Sequence, residues 1–122
     1  MDFQETEEQS MIREMVRDFA EEILAPTCLE RDREQRPPLD EWQAFCEYGL
    51  QGVTIPEEYN GLNFGYVGLG QVLEEMGRKL TLSPIISTVL MSSTLTSLSK
   101  NEILKTKLFQ EIMNGSKLVS IA

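Results

Sequence analysis

Residues 6–24 read "TEEQSMIREMVRDFAEEIL", and this stretch decides the fold class. Thr6 followed three residues later by Gln9 is a capping box: the Thr6 hydroxyl can accept the Gln9 amide while the Gln9 side chain accepts the Thr6 amide. Behind it the doublets Met11/Ile12, Met15/Val16, Phe19/Ala20 and Ile23/Leu24 recur every four residues, while Glu14, Arg17, Asp18, Glu21 and Glu22 take the other side. That is the period of a helix with one broad apolar stripe. Pro26 lacks an amide and should bend or end the helix near Leu24, with the following "TCLERDRE" adding turns beyond it.

The same reading extends outward along the chain. Arg36-Pro37-Pro38 is a break. A second helix is expected from Leu39 to Tyr48, with Trp42, Phe45 and Cys46 inward and Gly49 as the left-handed residue that closes it. A third, Tyr66 to Leu80, should bury Val72, Leu73 and Met76. Its Gly68 and Gly70 suggest a closely packed neighbouring backbone. A fourth begins with Ser83 as N-cap and Pro84 as first helical residue. A fifth, Glu102 to Met113, is capped by Asn101, carries Leu104, Leu108 and Ile112 at spacings of four, and stops at Asn114-Gly115. The expected architecture is all-α, a five-helix bundle-like domain with a strand-like tail in "KLVSIA".

Two stretches invite chemistry. Between the second and third helices lies "GVTIPEEYNGLNFG", residues 52–65, with adjacent carboxylates at Glu57 and Glu58. Neighbouring side chains diverge on a turn, whereas an acid/base pair must converge on one substrate. The plain reading is a connection: Pro56 sets the entry, Asn60 and Gly61 take positive φ, Tyr59 packs down, and both carboxylates face solvent or cap nearby amides. The other stretch, residues 80–99, is "LTLSPIISTVLMSSTLTSLS". It holds no charge, and half its residues are Ser or Thr, too polar a mix for a membrane span. A helix polar in places and charged nowhere is either enclosed by protein or lines a cavity.

Composition narrows the function. The 122 residues suit one domain, and the net charge is −9. Residues 1–50 carry 14 of the 20 acidic and 5 of the 11 basic side chains. Such a surface repels nucleic-acid phosphate and anionic membranes, and it is a poor home for a polyphosphate cofactor. With no histidine, Cys28 and Cys46 have no metal-ligand or nucleophile–base partner of the usual kind, so neither a catalytic nor a metal site is expected. The first residues show neither a signal nor a transit pattern, which makes the cytoplasm the default expectation.

Taken in order, the segments "TEEQ…IREMVRDFAEEILAP", "LDEWQAFCEYGLQGVTIPEEYNGL" and "VLEEMGRKL" resemble the N-terminal helical domain of the acyl-CoA dehydrogenases, which are flavoenzymes. The signposts are Gly49-Leu50 with Gly52, the Pro56 to Gly61 turn, and Glu74 to Arg78. "SPIISTVLMS" and "NEILKTKLFQEIMNGSKL" are similar to that family's fourth and fifth helices. Two positions depart: Asn60 stands where Gly is usual, and Lys100 replaces a Gly before the fifth helix.

The resemblance implies that residues 1–116 form this helical domain and that 117–122 begin a β domain. The implied parent uses FAD to desaturate an acyl-CoA and passes electrons to an electron-transfer flavoprotein or another acceptor. It is implied to be an oligomer, either a homotetramer or a heteromeric assembly. The catalytic base and most flavin contacts would lie outside this chain, so the fragment alone should bind no FAD. What this domain would contribute is part of the acyl-chain wall, with Ser87 and Met91 facing the acyl group and Leu90 or Thr94 next. The competing reading is a stand-alone helical interaction module without catalytic activity.

Overall fold

A computed structural model describes residues 3–79 and 83–122. Among these residues all regular structure is helical. Helix α1 spans Glu7–Phe19, and its capping box is formed in both directions, with Gln9 N–H to Thr6 Oγ1 at 3.2 Å and Thr6 N–H to Gln9 Oε1 at 3.0 Å. It does not stop at Leu24. It widens into a π-helical turn, Ala20–Leu24, then a 3₁₀ turn, Ala25–Thr27, and continues as α2, Cys28–Glu34. The wide turn accommodates Pro26 without ending the chain's helical course.

The carbonyl of Leu24 is satisfied by the buried Arg31, whose Nη2 donates to it at 2.9 Å. Arg31 also reaches Thr27 and Glu41 of the next helix, tying the two elements together. Burial opposes ionisation of the Glu41 carboxyl, but the Arg36 guanidinium outweighs it and keeps its pKa below the ordinary carboxylate value.

Helix α3, Leu39–Glu47, buries Trp42 and Phe45, and Gly49 follows in the left-handed conformation. Helix α4, Gly65–Gly77, packs along α1 and buries Leu69, Val72 and Met76. Its expected end at Leu80 lies outside the described residues. A π-helical run, Ile85–Ser92, continues as α5, Ser93–Leu98. Helix α6, Glu102–Met113, is capped by the Asn101 side chain. The main core draws on α1, α3, α4 and the run from Ile85, and a second cluster joins Ile55 to Phe109 and Ile112 of α6.

In α6 Phe109 and Ile112 are buried, Leu108 is half-buried and Leu104 is exposed. Three expectations are corrected. Gly68 and Gly70 do not admit a neighbouring backbone: a Cβ on Gly68 would meet the Phe64 side chain at 2.6 Å, and Gly70 faces open space. Ser83 holds its hydroxyl to the Ile85 amide at 3.3 Å, and Pro84 stands just outside the helix instead of opening it. The tail forms no strand, and the backbone of Val119 finds its partner inside this chain, on Thr88.

Candidate functional site

The loop with Glu57 and Glu58 is a structural connection. Leu62, Asn63 and Phe64 donate amides back to Gly52, Ile55 and Val53 at 2.8 to 3.0 Å, so the two arms of the loop are stitched together. Asn60 takes φ 65°, as expected. Gly61 does not take positive φ; it is required for space, since a Cβ there would lie 1.9 Å from the Ile55 carbonyl oxygen. Tyr59 packs on Phe109 and donates its hydroxyl to Glu102 at 3.0 Å, while Glu57 and Glu58 are exposed.

The charged side chains are mostly engaged with one another. Glu75 of α4 is 1% exposed and sits between Arg13 and Arg17 of α1, with bonds of 3.0 to 3.1 Å. The Arg17 guanidinium, helped by Arg13, overcomes the effect of burial and holds its carboxyl at about 2. Arg13 spans Glu5, Glu74 and Glu75, and Arg36 is held by Glu41. These arginines are committed to carboxylates, so this donor set does not fit the diphosphate of a flavin dinucleotide. Burial pushes the Cys46 thiol up to about 11, which leaves it a weak nucleophile at neutral pH. Among the described residues no group of three potential metal ligands occurs, and no helix is long and apolar enough to cross a membrane.

The helix from Ile85 to Leu98 has a different construction. Its hydroxyls bond back to its own carbonyls: Ser87 to Pro84, Ser92 to Ser87, Ser93 to Thr88, Thr96 to Ser92 and Ser97 to Ser93, at 2.7 to 3.1 Å. Two of these reach five residues back, the spacing of the wide turn. A serine or threonine bonded in this way offers little polarity to its surroundings, so a Ser/Thr-rich sequence presents a largely apolar exterior.

One side of this helix, bearing Ile85, Thr88, Val89, Ser92 and Ser93, is buried. The opposite side leaves Ile86, Met91, Leu95 and Leu98 outward, Met91 being 45% exposed. Of the expected acyl-facing residues, Met91 lies on this outward stripe and Ser87 and Thr94 flank it half-buried. Leu90 turns toward the main core. Thr94 shares a hydrogen bond of 2.9 Å with the hydroxyl of Tyr66, which stands beside Val67 at the start of α4, both exposed. Beyond Leu95 the stripe opens into an apolar groove of about 340 Å³ between α5 and α6, walled by Leu95, Leu98, Leu104 and Leu108.

Ile86, Leu95, Leu98 and Tyr66 were missed by the sequence reading. Of the stripe's spacings of five, four and three, only the five, from Ile86 to Met91 in the wide run, departs from an α-helical period. The signal available was the crowding of Ser and Thr, which marks back-bonding but does not reveal the wide turn.

The described residues form an all-helical domain with one uncharged, largely apolar helix face. The chain belongs to the acyl-CoA dehydrogenase family: residues 6–116 match the model of the acyl-CoA dehydrogenase N-terminal domain. A probable acyl-CoA dehydrogenase of Bacillus subtilis is 37% identical over 78 residues, covering 64% of this chain and 20% of that protein. The butyryl-CoA dehydrogenase of Megasphaera elsdenii superposes with a TM-score of 0.84 at 25% identity, covering 97% of this chain and 32% of that one. A chain from a structure described as the electron transferring flavoprotein of Acidaminococcus fermentans gives 0.84 at 31% identity, with the same coverage. The chain thus spans about a fifth to a third of the length of these relatives.

Proposed function

We propose that residues 1–116 are the N-terminal domain of an FAD-dependent acyl-CoA dehydrogenase, in which the helix from Ile85 to Leu98 forms part of the acyl-chain wall. The observation that carries this reading is the outward stripe of Ile86, Met91, Leu95 and Leu98 on a helix without charge, five of whose hydroxyls are turned back on its own backbone. Ser87, Met91 and Thr94 are the positions nearest the acyl group in this proposal, with Leu90 supporting them from the core side. An apolar lining with few polar groups suits an acyl tail.

The parent's activity would be α,β-desaturation of an acyl-CoA thioester, with an electron-transfer flavoprotein or another acceptor as partner and an oligomer as the working form. The base and most of the flavin contacts would lie outside this chain, the latter in a β domain and in a neighbouring subunit. Residues 117–122 would lead into a β domain. No step of the reaction is given to a residue of this chain.

Titrating the 122-residue chain with FAD and with acyl-CoA tests the division of labour. Absence of stoichiometric flavin binding and of turnover with an artificial electron acceptor is the expected result. Tight flavin binding or measurable turnover by the chain alone would overturn it.

A further inference from the structure

The last residues leave the bundle along a docked path. Lys117 pairs with Glu111 of α6 at 2.5 Å. Leu118 lies where two surface grooves meet, both of them walled by Leu39 and Trp42. Val119 sets its side chain against the cluster of Ile55, Phe109 and Ile112. Its backbone is held by one side chain: Thr88 Oγ1 donates to the Val119 carbonyl at 2.9 Å and accepts the Val119 amide at 3.1 Å. A hydroxyl has one proton and two lone pairs, so it can serve both groups at once, as a neighbouring strand would.

We propose that Thr88 is a positioning residue, fixing the point and direction at which the chain leaves the helical domain relative to the outward stripe on the same helix. Thr88 is fully buried, and its own carbonyl accepts the Ser93 hydroxyl at 3.0 Å, so its place in the helix is secured from both sides. Packing alone does not call for a hydroxyl here, because valine has the same shape. Only a hydroxyl can both give to and take from the Val119 backbone, and an unpaired backbone group carries a penalty. Ser87, the next residue, borders the stripe. Wall and exit are therefore one residue apart on a single rigid helix. The inference rests on the proposed domain layout only in what the residues after Val119 lead to.

Site-resolved amide exchange on the 122-residue chain tests it, comparing wild type, Thr88→Val and Thr88→Ser. The Val119 amide should be protected in wild type and in the serine variant. It should lose roughly tenfold of that protection in the valine variant, while amides of α1 and α4 exchange as before. Free-peptide exchange at Val119 in wild type, or unchanged protection in Thr88→Val, would overturn the assignment. Should Thr88→Val fail to fold, Val119→Pro removes the amide without touching the buried helix. Residues 120–122 should then gain motion in ¹⁵N relaxation, and unchanged order there would equally refute the role. Neither readout involves flavin or acyl-CoA, so a failure here is separable from a failure of the acyl reading.

Discussion

The seam between α1 and α4 and the helix from Ile85 to Leu98 meet the same requirement in opposite ways. Both bury polar groups that must find partners. The seam uses full charges: Glu75 is enclosed by Arg13 and Arg17, and α1 and α4 are thereby registered against each other across about 60 residues of sequence. The other helix uses neutral hydroxyls, five of them bonded to its own backbone, with Thr88 and Thr94 reaching Val119 and Tyr66 instead. The first arrangement joins two elements; the second leaves one element free to present an apolar face. The charges are thus spent where helices must be joined, and the surface proposed to meet an acyl chain stays neutral.

Three measurements would break or sharpen this contrast. The largest effect is expected from Glu75→Gln, which leaves two arginines facing a neutral amide; urea unfolding should show a loss of about 3 kcal/mol. A loss under about 0.5 kcal/mol would mean that the seam is held by its apolar contacts alone.

The second concerns pH. Glu75 has a folded-state pKa of about 2 against an ordinary 4.5, so the carboxyl binds its proton more readily when the chain is unfolded. Its contribution is fully present above about pH 4.5 and disappears as pH falls from there through 2. Wild type should therefore lose stability across that window more steeply than Glu75→Gln, and parallel curves would contradict the assignment. The smallest effect is expected from Ser97→Ala. Among the described residues its hydroxyl bonds only to the Ser93 carbonyl, and alanine is the better helix former, so stability should stay within about 0.5 kcal/mol. A large loss would show that these hydroxyls do more than satisfy themselves.

Much of the fold was legible because it rests on local rules. The capping box at Thr6, the left-handed Gly49 and the Asn101 cap are all set by residues within a turn of one another, and all appear as read, while the four-residue recurrence of the first helix buries Ile12, Val16 and Ala20 but leaves Met11 exposed. The misreadings share a cause. At Pro26 the expected bend, with turns continuing beyond it, takes the form of a wide turn that no local rule specifies, and Arg31, seven residues on, donates to the Leu24 carbonyl. At Gly61 backbone conformation was expected to decide, and the approach of Ile55 decides instead. On α6 the spacing of four names Ile112, which is buried, but only the position of the second cluster says that Phe109 is buried and Leu104 is not.

The candidate site divides in the same way. That the stretch after Pro84 carries no charge is a property of the sequence alone, and it singles out this helix. Which of its residues face outward depends in part on the wide turn from Ile85 to Ser92, which sets Ile86 five residues from Met91 on one face, whereas Leu95 follows Met91 at an ordinary α-helical spacing of four. The tail is the clearest case. Alternating residues in "KLVSIA" announce backbone groups in need of a partner. That the partner is one threonine hydroxyl, 31 residues earlier in the chain, follows only once packing has brought the two together. Periodicity, capping and charge act within a few residues and can be read in order. Register between distant elements is chosen by which buried surfaces fit, and only the folded chain contains that choice.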